Sequence, residues 1–153
     1  MNILDDLKLQ YNTGGMVQKL IFWNIGCFLL SLVFFYSFSV GSFQIPTWIA
    51  LSSDFGTFIR TPWTLITFNF FHAGFLHLIF NLMVLHFSGR LFSTYFTDKQ
   101  LLGVYVLGGI FSGVTFVLSY IFIGKAGLLV GASGAIMAIL IATATYAPFM
   151  LLR

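Results

Sequence analysis

Residues 101–123 read LLGVYVLGGIFSGVTFVLSYIFI, an apolar run that contains no charged side chain. A helix needs about 20 mostly apolar residues to cross the hydrocarbon core of a membrane. The run is therefore predicted to be a transmembrane helix. Three other apolar runs of similar length predict further spans, at about residues 17–38, 76–96 and 132–152.

The composition of the whole chain indicates that it folds in a lipid bilayer. Hydrophobic residues make up 59% of the 153 residues, and charged residues make up 7%. A soluble domain carries about a quarter charged residues, and a chain of this length is too short to bury so much apolar area. The sequence thus predicts an all-α polytopic membrane protein whose surroundings are the lipid bilayer.

The charged residues and the cysteine exclude some kinds of partner and cross-link. The net charge is +3, but the seven Lys and Arg residues are scattered singly, so no nucleic-acid partner is expected. Cys27 is the one cysteine of the chain, which leaves no internal disulfide to form. A packed, inert thiol is the simplest interpretation of that residue.

Two segments precede the first and second predicted spans. Residues 1–16 are polar and charged, whereas residues 39–75 are of mixed character, with turn residues such as Pro62 beside aromatic residues such as Trp63. Trp favours the membrane–water interface, and the second segment is too long for an ordinary connection. It is predicted to be a structured loop that lies partly in the membrane.

The basic residues predict the orientation of the chain, because Lys and Arg are enriched on the cytoplasmic side of membranes. With the N-terminus inside, four basic residues fall in inside segments and two fall in outside segments. The inside residues are Lys8, Lys19, Lys99 and Arg153, with Arg90 near that end of its helix, and the outside residues are Arg60 and Lys125. Residues 1–16 are therefore predicted to be cytoplasmic.

Three polar residues lie close together near the start of the second predicted span. His77 and Asn81 are four residues apart, which places them on one face of a helix, and His72 precedes His77 by five residues. Polar groups inside a membrane are costly and are functional candidates by default. Spacing alone leaves open a functional site or hydrogen bonds between helices, worth about 0.6 kcal/mol each. A metal site is disfavoured because no carboxylate or thiolate accompanies the pair.

Ser133 lies at the start of the fourth predicted span, within the tetrapeptide Gly131-Ala132-Ser133-Gly134. A helix N-terminus has free backbone N–H groups and a dipole that stabilises negative charge. A nucleophilic serine placed there would have a site for an oxyanion beside it. The alternative is a serine that bonds back to a carbonyl one turn earlier in its helix.

In combination, these motifs resemble those of the rhomboid family of intramembrane serine proteases. In that family an HxxxxHxxxN motif opens the second core helix and a GxSG motif opens the fourth. Here the motifs read HAGFLHLIFN at residues 72–81 and GASG at residues 131–134, with a predicted span between them. The resemblance implies a rhomboid-like bundle with four transmembrane helices in this portion, a membrane-embedded first loop over residues 39–75, and a truncated C-terminus.

The resemblance also implies a role for each matching residue. Ser133 would attack the scissile carbonyl, and His77, Asn81 and the Ser133 backbone N–H would stabilise the resulting oxyanion. The structural residues near the site would be His72 as a hydrogen-bonding residue, with Gly131 and Gly134 permitting tight packing. The implied function is cleavage of transmembrane-helix substrates near the outer face of a bacterial inner membrane, without metal or organic cofactor.

Two departures from the family pattern matter. The family commonly has Trp-Arg in the first loop, and this chain has Trp63-Thr64. The family takes its general base from a histidine of the sixth core helix, so that base is expected downstream of residue 153. His86 is predicted to be a packing or interface residue, and the 153-residue chain alone is expected to be inactive. The alternative interpretation is a catalytically inactive rhomboid-like protein that binds membrane helices.

Overall fold

The structure is a computed structural model that describes residues 2–148, apart from the side chain of Ile121. Its helices are α1 (Ile3–Thr13), α2 (Gly15–Phe34), α3 (Phe55–Arg60), α4 (Thr64–Thr67), α5 (Phe75–Ser93), α6 (Asp98–Ile123) and α7 (Ser133–Tyr146). Its short strands are β1 (Tyr36–Ser37), β2 (Ser42–Phe43), β3 (Leu51–Ser52) and β4 (Leu128–Leu129). A 3₁₀ turn at Phe68–Phe70 follows α4 directly.

Three of these helices, α2, α5 and α6, are long and apolar enough to cross a membrane, as judged by their length and composition. The apolar helix α7 is shorter, with 14 residues. The prediction of a helical, polytopic membrane protein is confirmed. The fourth span was predicted to continue to residue 152, but α7 ends at Tyr146, before Pro148, and a proline disfavours helical geometry in the residue before it. Residues 149–152 lie outside the described part of the chain.

The first membrane helix ends earlier than its apolar run. Helix α2 stops at Phe34, whereas the apolar run predicts a span to residue 38. The chain instead forms the antiparallel hairpin of β1 and β2, in which the Tyr36 and Phe43 rings meet edge to face at 5.1 Å. Gly41 closes this hairpin with φ +66°, a left-handed conformation that glycine adopts without strain.

The second boundary, between α5 and α6, is set by local capping. The Thr97 side chain accepts the Gln100 N–H, and the Gln100 side chain accepts the Thr97 N–H at 2.9 Å. This reciprocal capping box satisfies two backbone donors that the first turn of a helix leaves free. Helix α6 therefore begins at Asp98, three residues before the apolar run that predicted it.

The loop between α2 and α5 is folded onto the bundle. Strand β3 pairs antiparallel with β4, which joins this loop to the segment just before α7. Helix α3 is capped by Asp54, whose carboxylate accepts the Thr57 N–H at 2.7 Å, and the hydrogen bonds from Thr57 hold the Asp54 pKa below its usual range. The Trp63 indole donates to the Trp48 carbonyl at 2.9 Å. These contacts give the loop a defined structure, and its partial burial in the membrane stays a prediction.

Helices α2, α5, α6 and α7 pack into one bundle, with α6 and α7 in the most extensive contact. Small residues permit this close approach. A side chain at Gly108 on α6 would collide with the Ala138 methyl group on α7, and one at Gly89 on α5 would meet Val17 on α2. One cluster of buried core residues consists of Val17, Leu20, Leu85, Phe92, Leu101, Tyr105, Ala132, Ala135, Ile136 and Ile139.

Candidate active site

Ser133 is the first residue of α7, and its side chain is exposed. No side chain caps the helix at this end, so the first backbone N–H groups of α7 are left without intrahelical partners. The Ser133 hydroxyl forms no hydrogen bond with any residue in the range 2–148. The alternative interpretation, a serine bonded to a carbonyl one turn earlier, is therefore not what the structure has.

The three side chains that the resemblance implies for catalysis line one cavity. This cavity has a volume of about 220 Å³ and lies between α5 and α7. Its lining residues are His77, Phe80, Asn81, Val84, Ser133, Ile136 and Met137. Because His77 and Asn81 lie on one face of α5 and Ser133 at the start of α7, the contact between these two helices brings them together. Apolar side chains make up the rest of the wall.

His77 lies directly against the turn that leads into Ser133. A Cβ atom at Gly131 would come within 2.7 Å of His77 Cε1 and 2.8 Å of His77 Nε2, so only glycine fits beneath the ring. Gly131 also has φ +122°, a conformation that other residues rarely adopt. Its N–H donates to the Phe68 carbonyl at 2.9 Å, which ties the turn to the first loop.

Asn81 is buried and uses one of its amide hydrogens inside its own helix. Its Nδ2 donates to the His77 carbonyl at 2.7 Å. A side-chain amide carries two N–H donors, so the second remains for a group in the cavity. The bond to His77 also fixes the direction in which the Asn81 amide points.

His72 is fully buried and packs its ring edge to face against His77, with the ring centroids 5.1 Å apart. Neither ring nitrogen of His72 makes a hydrogen bond of good geometry within the described residues. The polar group that interacts with the His72 ring is the backbone of Phe70. His72 therefore contacts His77 from behind without lining the cavity. Its role as a hydrogen-bonding residue stays a prediction.

Gly134 allows α7 to press against α6 directly below the serine. A Cβ atom at this position would overlap both the Oγ and the Cβ atoms of Ser112. Tight packing at Gly131 and Gly134 therefore involves two different neighbours, a histidine ring on α5 and a serine on α6. His86 lies further along α5 with an exposed side chain, away from this packing.

A second cavity, of about 290 Å³, opens on the other side of Ser133. Three of its lining residues carry hydroxyl groups and lie on one face of α6, at Ser112, Thr115 and Ser119. These residues are spaced by three and then four positions, which places them on one side of a helix. This spacing could have identified the hydroxyl-lined face of α6 from the sequence. Ser133 thus stands between an apolar cavity and one with polar hydroxyls.

Sequence reasoning also missed the backbone partner of the serine turn, the Phe68 carbonyl, since backbone groups carry no residue-type signal. Within residues 2–148, no group of three or more His, Cys, Asp or Glu side chains is arranged to hold a metal ion.

Comparison with known proteins gives one match. The family model described as Rhomboid domain matches residues 60–151, a range that includes both motifs and the helix between them. Searches among curated proteins and among solved structures gave no match.

Proposed function

The chain belongs to the rhomboid family, and on this premise we propose that it supplies the nucleophile and oxyanion site of an intramembrane serine endopeptidase. The observation that carries the proposal is the cavity shared by Ser133, His77 and Asn81. A nucleophile and two hydrogen-bond donors that meet in one pocket are the parts needed for acyl transfer.

In the proposed reaction, the Ser133 hydroxyl attacks the scissile carbonyl of an extended substrate segment. The negative charge that develops on the carbonyl oxygen is met by the Ser133 N–H and by the His77 and Asn81 side chains. A single donor of this kind is worth about 3–4 kcal/mol of transition-state stabilisation. The free N–H groups at the start of α7 add the favourable end of the helix dipole.

The hydroxyl proton must pass to a base and then to the leaving amine, because a serine hydroxyl is a weak nucleophile without one. We assign this base to a histidine downstream of residue 153. His77 is assigned to the oxyanion, and the buried His72 lies behind it. The base then takes a proton from water, whose oxygen attacks the acyl-enzyme carbonyl, and passes that proton to the Ser133 oxygen as the ester bond breaks.

The proposed substrates are transmembrane helices that unwind locally near the outer face of the membrane. With residues 1–16 in the cytoplasm, α5 begins and α7 begins on the outer side, so the Ser133 cavity opens near that face. The apolar wall around the cavity, formed by residues such as Phe80 and Met137, suits a substrate that arrives from lipid. The proposed location is a bacterial inner membrane.

A second candidate function has one observation in its favour. The Ser133 hydroxyl has no hydrogen bond to any of the three histidines of the chain, all of which lie within the described residues. A relative without a base would bind membrane helices in the same cavity and cleave nothing. The two candidates differ in the reactivity of Ser133.

The test is covalent labelling of Ser133 with a fluorophosphonate probe. The reading frame is first followed past the codon for Arg153, where an apolar segment with a histidine is expected. In the longer product, wild type is expected to label, Ser133→Ala to remain unlabelled, and Ser93→Ala, an exposed serine at the end of α5, to label normally. A stop codon confirmed at the protein level, or no labelling of the longer product, favours the binding protein.

A further inference from the structure

A chain of buried polar groups crosses the middle of the bundle. Tyr105 on α6 is 1% exposed, and its hydroxyl donates to the Asn69 carbonyl at 3.3 Å. The same hydroxyl accepts a hydrogen bond from Asn24 Nδ2 at 3.2 Å. Asn24, on α2, is fully buried and also donates to the Leu20 carbonyl of its own helix. The Asn24 side chain, the Tyr105 hydroxyl and the Asn69 carbonyl therefore join α2, α6 and the 3₁₀ turn Phe68–Phe70.

The 3₁₀ turn is the point at which this chain of hydrogen bonds reaches the serine. The Asn69 carbonyl accepts the Tyr105 hydroxyl, and the carbonyl just before it, that of Phe68, accepts the Gly131 N–H at 2.9 Å. Gly131 lies two residues before Ser133 and beneath the His77 ring. A shift of the 3₁₀ turn would therefore move the backbone that carries the nucleophile.

The side chain of Asn69 seats the same turn on α6. A Cβ atom at Gly109 would come within 2.5 Å of both Asn69 Nδ2 and Asn69 Oδ1, so the amide lies flat on that glycine. Asn69 Nδ2 also donates to the Leu65 and Ile66 carbonyls, at 3.4 Å each. The turn is thus held by its own side chain on one side and by Tyr105 on the other.

We propose that Tyr105, supported by Asn24, is a positioning residue that fixes the Phe68–Gly131 hydrogen bond and through it the Ser133 turn. The proposal rests on the proposed function, in which the place of Ser133 decides its reactivity. Polar groups at this depth are costly, and the Oδ1 atoms of Asn24 and Asn69 have no hydrogen-bond partner among the described residues. Hydrogen bonds between membrane helices also stabilise their packing, so the test compares the Gly131 amide with glycines elsewhere in the bundle.

The experiment removes the single hydroxyl with Tyr105→Phe and follows the Gly131 amide by hydrogen exchange. The 153-residue chain, labelled with ¹⁵N-glycine in detergent micelles, resolves this amide among those of the other glycines. Loss of one hydrogen bond is expected to raise the exchange rate of the Gly131 amide about fivefold, with little change for glycines in the helix interiors. An unchanged Gly131 rate, or an equal increase at every glycine, would overturn the positioning role.

Tyr120→Phe is the matched control. Tyr120 lies on the same helix, and its hydroxyl forms no hydrogen bond with residues of the described part, so the Gly131 rate is expected to stay at the wild-type value. If Tyr105→Phe fails to fold, Asn24→Leu takes its place. This variant removes the donor to Tyr105 and is expected to raise the Gly131 rate in the same direction, by a smaller factor. A Gly131 rate unchanged in folded Asn24→Leu would count against the proposal.

Labelling kinetics separate this inference from the proposed function. In the longer product with its base, Tyr105→Phe is expected to lower the saturating rate of Ser133 phosphonylation about fivefold. The probe concentration for half-maximal rate is expected to change little, because the cavity walls are untouched. If wild type does not label at all, the proposed function fails, while Gly131 exchange still decides the positioning role. Normal labelling in a Tyr105→Phe product would contradict the inference alone.

Discussion

The imidazole of His77 rests on the backbone of Gly131, close enough that a methyl group added to Gly131 would lie 2.7 Å from His77 Cε1. Real Cβ contacts are not that short, so either the ring or the turn would have to move. The His77 ring packs edge to face against the buried His72, and the Gly131 N–H donates to the Phe68 carbonyl. The contact therefore couples His77 on α5, the proposed oxyanion donor, to the turn that leads into Ser133, the proposed nucleophile on α7.

Gly131→Ala is expected to abolish labelling of Ser133 in the proposed longer product and to lower the free energy of unfolding. Two effects add: an L-residue at φ +122° is strained, and the new methyl group displaces His77. Together they should lower the free energy of unfolding by about 2–4 kcal/mol, measured in mixed micelles with increasing dodecyl sulfate.

Gly124→Ala is the control for a glycine of positive φ whose added methyl group meets no neighbour. Gly124 has φ +72°, but a side chain there would meet nothing within 4 Å. This variant should cost about 1 kcal/mol, the strain of an L-residue in a left-handed conformation, and should label at the wild-type rate. Equal effects of the two variants would mean that the His77 contact contributes nothing.

Asn81→Ala is expected to slow labelling of Ser133 by about 10²–10³-fold, the usual effect of removing one oxyanion donor. The loss of the bond to the His77 carbonyl should lower the free energy of unfolding only slightly, by about 0.6 kcal/mol. The measurement is the pseudo-first-order labelling rate in the longer product, with unfolding followed on the same sample.

His86→Ala, on the same helix but exposed, serves as the control for Asn81→Ala and should leave the labelling rate unchanged. A labelling rate for Asn81→Ala within threefold of wild type would remove Asn81 from the oxyanion site. It would leave the residue with the other interpretation that its spacing allows, a helix-stabilising amide.

The parts of the fold that were predictable are the local ones. A long apolar run determines that a membrane helix forms, and spacing within one helix places His77 and Asn81 on a common face. The ends of the helices depended on finer signals. The apolar run past Phe34 concealed the hairpin at Tyr36–Phe43, because both a lipid-facing helix and an aromatic hairpin are apolar. The end of α7, by contrast, could have been predicted from Pro148, because a proline disfavours helical geometry in the residue before it.

The parts of the site that were not predictable depend on contacts between distant segments. The bond from Gly131 to Phe68 joins two backbone groups, and the bond from Asn24 to Tyr105 joins residues 81 positions apart. Neither follows from any local pattern. Asn24 and Asn69 could have been selected as buried polar residues in apolar surroundings, but their partners required the packed bundle.

The orientation of the chain gives a prediction that is independent of catalysis. In a Cys27→Ser background, Lys8→Cys should be protected from a membrane-impermeant maleimide in intact cells, and Lys125→Cys should react. Lys8 lies on α1, before the first membrane helix, and Lys125 follows α6 in an exposed segment. The reverse pattern would place Ser133 at the cytoplasmic face and would contradict the proposed site of cleavage.

The contact between Gly134 and Ser112 gives a prediction that its own partner can rescue. Gly134→Ala should lower the free energy of unfolding by about 1–3 kcal/mol, because the added methyl group overlaps Ser112 Oγ and Cβ.

Ser112→Gly removes both atoms, so the double variant should recover most of the loss caused by Gly134→Ala, with a coupling energy of at least about 1 kcal/mol. Thr115 lines the same cavity, but its atoms are not among those that a methyl group at Gly134 would meet. Thr115→Ala should therefore give no rescue when combined with Gly134→Ala. Additive effects of Gly134→Ala and Ser112→Gly would show that α7 is free to move away from α6. The position of the Ser133 turn would then not depend on the contact between Gly134 and Ser112.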